Sequence, residues 1–198
     1  MKSVTERVYL TDFILACLAY CLFVGSDSIV KYLGSDYSIV QIIFVNSWFA
    51  LIPIVLYTQT LNGWRKLKKA NFTVHFFRAL TMALALFFGY TGFYRLPMVT
   101  MYSIVFLIPL MITIGSVFFL GEVVRWKRFT AILIGFIGAI ISINPFGTEY
   151  DNYIFLALFC PIFASASYLI VRKYGFKENL FSFLIYGKIL MLVLTGVF

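Results

Sequence analysis

The chain is expected to be an all-α, polytopic membrane protein of about seven transmembrane helices, and three observations predict it. First, 62% of its 198 residues are hydrophobic and only 12% are charged, with a mean hydropathy of +0.96; a soluble domain keeps about a quarter of its residues charged. Second, the apolar residues fall in long runs. Residues 96–121 and 129–148 contain no charged residue, and a helix needs about 20 apolar residues to cross a bilayer. Third, the cations between the runs alternate from side to side.

The first crossing is read over residues 11–33, interrupted by Asp27 and Lys31. Its flank carries Glu6 and Asp12 and has no A-x-A type cleavage signal, so it reads as a retained helix. The second lies within the uncharged run 37–64, centred on 38–57. The third covers about 72–94, with Arg78 near its start and Arg95 just past its end. The fourth covers about 97–120, and the fifth about 129–143, stopped by Asn144 and Pro145. The sixth covers about 153–171, and the seventh begins near 180 and is still apolar at Phe198.

Of the sixteen Lys and Arg residues, thirteen fall on one side of this arrangement. They comprise Lys2 and Arg7, the cluster 65–69 with Arg78 at its edge, Arg125 to Arg128, and Arg172, Lys173 and Lys177. The other side has Lys31 and Arg95, and Lys188 lies inside the seventh run. Since cytoplasmic loops carry the excess of Lys and Arg, the N-terminus is expected in the cytoplasm of a multi-pass inner-membrane protein.

Other function classes are disfavoured. The net charge of +8 sits in short loops between apolar runs, not on a folded basic face, so no nucleic-acid partner is expected. Cys17, Cys21 and Cys160 all lie in apolar runs and offer neither a disulfide framework nor zinc spacing. His75 is the only histidine, which leaves no catalytic pairing and no metal site to expect. No G-x-x-x-x-G-K-[ST] phosphate loop occurs, so neither a nucleotide nor any other cofactor is implied.

Ser28-Ile-Val-Lys31 near the end of the first run echoes Leu169-Ile-Val-Arg172 at the end of the sixth. Five spans separate the copies, an odd number, so the two fall on opposite sides. That is the geometry of an inverted repeat, a common construction of secondary transporters.

Several features then occur in a telling order: Lys31 closing helix one, Arg78 opening helix three, Leu96-Pro97 entering helix four and Pro109 within it. Gly121-Glu122 ends helix four, Arg125-Trp126-Lys127-Arg128 makes the turn, and Gly135-Phe136-Ile137-Gly138 lies in helix five. In this the chain resembles the EamA-type transporters of the drug/metabolite transporter superfamily. Around Lys31-Tyr-Leu-Gly34 and Lys177-Glu178 it looks most like the branch from intracellular bacteria that takes up S-adenosylmethionine. The resemblance implies a first five-helix repeat at residues 1–147 and the first two helices of an inverted, incomplete second repeat at 148–198. It departs at helix two, where many members have an arginine some residues after a glutamine and this chain has Gln41 followed by Asn46. Members usually have ten helices, so the resemblance also implies a truncated chain, one that needs a homodimeric partner, or one missing its C-terminal half.

Asp27 lies about 6 Å inside the end of helix one, counting 1.5 Å per residue. A carboxylate there is costly unless it meets a cation or a cavity. Lys31 is its i+4 neighbour, so the two read either as a self-neutralising pair at the interface or as a substrate or proton site. Lys188 is roughly 12 Å deep, too far for its stem to reach water without strain. It reads as a cavity-facing cation or as a local deviation in a poorly inserted helix. Tyr90 and Tyr102 are candidates to stack on or hydrogen-bond a substrate, against the plainer reading of an aromatic belt. Glu122 is expected in a helix-end ion pair that fixes the hairpin, with gating as the alternative. Pro109 frees the carbonyl near Val105 and suits either a flexing helix or a static kink. Gly135 and Gly138, with Ala131 and Ala139, are expected to permit close helix packing. The three Trp residues are expected near helix ends or loops, as anchors.

The expected function is a secondary-active permease that moves a small organic metabolite, amino-acid-like or S-adenosylmethionine-like, across the inner membrane by alternating access. Its cavity is expected between helices one, three, four and six, with Asp27, Lys31, Tyr90, Tyr102 and Lys188 binding substrate and Arg78, Pro109 and Glu122 gating or structural. Its partners would be the lipid bilayer and that small molecule. The alternative is a truncated, non-transporting membrane protein or scaffold.

Overall fold

The computed structural model describes the backbone of residues 2–60, 71–123, 125–143, 152–176 and 180–196. Trp64, the basic cluster 65–69, the Asn144-Pro145 stop, Glu149, Asp151, Lys177 and Glu178 lie outside the described residues. Within them the chain is all-α: α1 (Lys2–Leu33), α2 (Ile39–Thr60), α3 (Phe72–Arg95), α4 (Met98–Val105), α5 (Leu107–Leu120), α6 (Trp126–Ile143), α7 (Tyr153–Ala157), α8 (Phe159–Tyr174) and α9 (Leu180–Gly196). Five stretches are long and apolar enough to cross a membrane: Thr11–Leu33, Ile39–Gln59, Phe72–Arg95, Met98–Leu120 and Tyr153–Tyr174. The shorter apolar helices Phe129–Ile141 and Ser182–Gly196 stand where the fifth and seventh crossings are expected. This is a polytopic membrane protein.

Local chemistry explains the ends of the helices. The Asn71 side chain accepts a hydrogen bond from Thr73 N at 3.1 Å and caps the start of α3. At its other end Leu96 turns extended (φ −100°, ψ 157°), as a residue before proline must. Pro97 then opens α4. α5 closes on Gly121, which is left-handed at φ 68°. There Gly121 N donates to Val117 O (3.2 Å), the bond of an αL cap, and Glu122 N donates further back to Ser116 O (3.2 Å). Only glycine adopts that φ without strain.

The fourth and sixth crossings are each broken once, at Phe106 and at Leu158. Pro109 and Pro161 stand three residues further on. A proline cannot donate to the carbonyl four residues earlier and crowds it sterically; here those carbonyls belong to Val105 and Ala157, the last residues before each break. The same device thus bends both crossings. Pro53 lies within α2, which continues unbroken past it.

α3 is the centre of the bundle. It packs against α1, α2, α4, α7, α8 and α9, while α9 also lies along α2, and α5 along α8. Its buried positions His75, Ala79, Ala85, Gly89, Tyr90 and Gly92 recur at helical spacing. Small residues set the closest approaches. A Cβ on Gly89 would lie 3.1 Å from Cys160 Sγ, and one on Gly92 would meet Met101 Sδ at 2.5 Å. The expectation of close packing at Gly135 and Gly138 is not met, because a Cβ on either would have nothing within 4 Å. α6 packs instead through Ala139 of the same expected set, which is buried, and close glycine contacts are made on α3 and at Gly115 of α5, where a Cβ would meet Leu169. Trp48 is likewise not at a helix end: it stands midway along α2 and is exposed. α8 and α9 pack on α3 and α2, so contacts cross the expected boundary at 147/148.

Gly92→Val should destabilise the folded chain by about 1–3 kcal/mol through overpacking, whereas Gly138→Val should leave it within about 0.5 kcal/mol. Unfolding midpoints of the purified variants in detergent measure the difference; equal midpoints would contradict the packing described here.

Candidate functional site

A charge or hydroxyl inside hydrocarbon needs a partner, so the site is built by asking what each such group meets. At the end of the bundle where α1 and α3 finish, Lys31 Nζ donates to Leu96 O at 2.7 Å and to Phe93 O at 3.3 Å. These carbonyls terminate α3, where the peptide dipoles leave partial negative charge and acceptors without helical partners. The ammonium is therefore neutralised by a helix end. The i+4 pair expected with Asp27 is not formed, since the C-terminal carbonyls offer a nearer and more directional set of acceptors.

Asp27 turns to another helix. The Tyr102 hydroxyl donates to Asp27 Oδ2 at 3.0 Å, and the Tyr102 ring packs edge-on against Phe93, with centroids 5.2 Å apart. The other carboxylate oxygen has no hydrogen-bond partner among the described residues. Asp27, Lys31 and Tyr102 thus meet where α1, α3 and α4 converge. Tyr90 is buried one turn deeper with Val30, Ile42, Ile43 and Met191, joining α1, α2, α3 and α9.

Lys188 is not brought to this group. It lies with Arg78 on a cavity of about 80 Å³ between α2, α3 and α9, walled by Ile54, Met82, Leu184 and Met191. Arg78 stands six residues into α3, about 9 Å along the helix, and is half-buried. It is thus an intramembrane cation, not the loop charge that its place beside the basic cluster suggests. Arg78 Nη1 donates to Phe183 O at 2.6 Å, and its guanidinium lies 5.9 Å from the Phe183 ring centroid. Its backbone carbonyl accepts from Ser167 Oγ at 3.3 Å. Fifteen residues of α3 separate Arg78 from Phe93, or roughly 22 Å. The two polar groups are therefore separate poles on one helix.

Glu122 pairs with Arg172 at 2.8 Å, tying the end of α5 to the end of α8. The ion pair expected at this helix end exists, but it bridges two crossings instead of closing the hairpin. Both partners are partly exposed, so it is worth about 0–1 kcal/mol. Pro109 lies away from both poles, in the bend of the fourth crossing. A larger groove of about 720 Å³ runs between α1 and α2 and carries Ser26, Gln41 and Asn46 among apolar residues. That volume suits a metabolite. Two signals could have found these members from sequence: amides within an apolar run, and Arg78 on the same helical stripe as His75, Ala79 and Ala85.

The EamA-like transporter family model matches residues 11–144. The S-adenosylmethionine uptake transporter of Rickettsia felis is 30% identical over 196 residues, covering 96% of this chain and 64% of that protein. The riboflavin transporter of Vibrio cholerae is 24% identical over 172 residues, covering 85% of this chain and 57% of that protein. The pseudopaline exporter of Pseudomonas aeruginosa is 21% identical over 174 residues, covering 87% and 61%. The chain thus spans somewhat less than two thirds of the length of these relatives. No solved structure matches it.

Since Lys31 and Asp27 hold different partners, the coupling between Lys31→Met and Asp27→Asn should not exceed that of an unspecific i,i+4 charge pair, about 0.5 kcal/mol. Lys31→Met alone should cost about 1–3 kcal/mol by stranding the α3 carbonyls. A double-mutant cycle on unfolding midpoints measures both, and a coupling well above that margin would restore the direct pair.

Proposed function

The chain belongs to the EamA-like transporter family, and on that premise we propose that it carries a small organic metabolite across a bacterial inner membrane by alternating access. The observation that supports this most is the placement of charge: apolar helices that need none hold two polar poles at different depths on α3. Intramembrane ionisable groups are expensive and mark substrate or ion pathways. The bends at Phe106 and Leu158 lie in the fourth and sixth crossings, which also pack on each other. They give hinge points about which one pole can open while the other closes.

The substrate is a cationic or zwitterionic metabolite of the S-adenosylmethionine type, the cargo named for the Rickettsia relatives. Asp27 has one carboxylate oxygen held by Tyr102 and one left to meet an ammonium or sulfonium. Tyr102 positions that carboxylate, and Lys31 locks the ends of α1 and α3 together around it. Tyr90, deeper in the same wall, meets the substrate as it moves inward, and Lys188 meets it at the second pole. Residues 1–147 act as one five-helix repeat and 148–198 as the start of an inverted second. The N-terminus is cytoplasmic, so the Asp27 pole faces outward.

Reconstituted in liposomes, the chain should accumulate labelled S-adenosylmethionine above empty vesicles. Asp27→Asn should cut that uptake at least tenfold at unchanged membrane levels, a loss of about 1.4 kcal/mol. No accumulation by the wild-type chain would favour the non-transporting scaffold, and normal uptake by the variant would remove Asp27 from the site. For orientation, single cysteines at Ser35 and Phe176 in a Cys-free background should be labelled by an impermeant maleimide in intact cells only at position 35. Labelling at 176 alone would invert the topology.

A further inference from the structure

The cavity between α2, α3 and α9 presents two cations and no carboxylate on its walls. Arg78 has met part of its need through Phe183 O and the Phe183 ring, but its Nε is buried with no hydrogen-bond partner among the described residues. Lys188 Nζ has neither a hydrogen bond nor an ion pair among them, and it shares the cavity wall with the like charge of Arg78. Two unneutralised cations in hydrocarbon each carry a cost of about 2.5–3.5 kcal/mol on insertion scales, and their repulsion adds to it. Such an arrangement becomes favourable when an anion enters.

The site is shaped as well as charged. Gly187 lies against Arg78, and a Cβ there would fall on the guanidinium nitrogen. The glycine therefore makes room for the cation beside the cavity. The free volume of about 80 Å³ holds two or three waters at about 30 Å³ each. That is room for one carboxylate-sized group, and too little for a whole metabolite.

We propose that Arg78 and Lys188 form a binding site for a single small anion of carboxylate size, placed on α3 far from the Asp27 pole. The inference rests on the transport reading only for the source of the anion, which is either the carboxylate of the transported metabolite or a free anion bound alongside it. Arg78 supplies a guanidinium on the cavity wall, and Lys188 supplies a mobile point charge. Ile54, Met82, Leu184 and Met191 give both contacts an apolar surround, in which charge interactions are stronger.

The probe is sodium acetate, titrated onto the purified 198-residue chain in detergent, with Lys188→Met titrated in parallel as the control for ionic strength. The readout is the unfolding midpoint, which a ligand of the folded state raises by mass action. Acetate should raise the wild-type midpoint saturably. Lys188→Met should weaken acetate at least tenfold, while Lys188→Arg and the surface change Lys173→Met retain it. Without acetate, Lys188→Met should melt above the wild type, because it removes an unpaired charge from an apolar helix. No saturable rise in the wild type, an equal rise in Lys188→Met, or a lower midpoint for Lys188→Met without acetate would each overturn the site.

Competition by S-adenosylmethionine, absent with its decarboxylated form, would support the site with the substrate carboxylate as occupant. Acetate binding unaffected by either would support it with a free anion. Acetate binding without liposome uptake would leave the anion site and remove the transport reading; uptake with no acetate binding would do the reverse.

Discussion

In hydrocarbon a polar group without a partner is costly, and a backbone can stay in the membrane only if it satisfies itself. That constraint accounts for the regular parts of this protein and for where its irregularities stand. Its helices bond internally, and two of the departures from helix come with groups that take up what is released. Leu96 leaves α3 where its carbonyl and that of Phe93 meet the Lys31 ammonium. Gly121 leaves α5 through a cap that returns two N–H groups to Ser116 and Val117. Ser and Thr hydroxyls do the same on a smaller scale, as Ser103 Oγ does to Val99 O at 2.9 Å and Thr113 Oγ1 to Pro109 O at 2.8 Å.

The consequence is a division of labour along α3. Its small and apolar positions hold the bundle together through Gly89, Gly92 and Phe93. Arg78 near its start and the carbonyls at its finish carry the electrostatics. One helix thereby connects a pole where a carboxylate looks out from beside a tyrosine to a pole where two cations look into a small cavity. α3, which is packed on six other helices, stands between the two poles. The bends at Phe106 and Leu158 lie in crossings that pack on α3 and on each other.

The family phrases in the sequence turn out to be mostly structural signals. Leu96-Pro97 is a helix stop and start, Gly121-Glu122 is a left-handed cap followed by an ion pair to Arg172, and Pro109 is a bend. Each acts over a few residues, which is why each could be read without coordinates. The Gly135-Phe136-Ile137-Gly138 phrase suggested a close contact that its two glycines do not make, because spacing on one helix says nothing about which neighbour arrives. Of the two readings open for Asp27 and Lys31, the i+4 pair is not formed for a related reason: the spacing makes a pair available but does not exclude a stronger acceptor on another helix.

The sequence by itself determined that this chain is a bundle of membrane-crossing helices, roughly where the crossings lie though not their breaks at Phe106 and Leu158, and which side chains are charges out of place. Apolar run length, proline, glycine and capping residues act locally and are written in order along the chain. Only the tertiary structure decided the partners: Lys31 with the end of α3, Asp27 with Tyr102, and Lys188 with Arg78 at a separate pole. The physical reason is distance in sequence. The contacts that define the poles join residues 62 to 105 positions apart, and no local rule spans such a gap; it is closed by helix packing around α3.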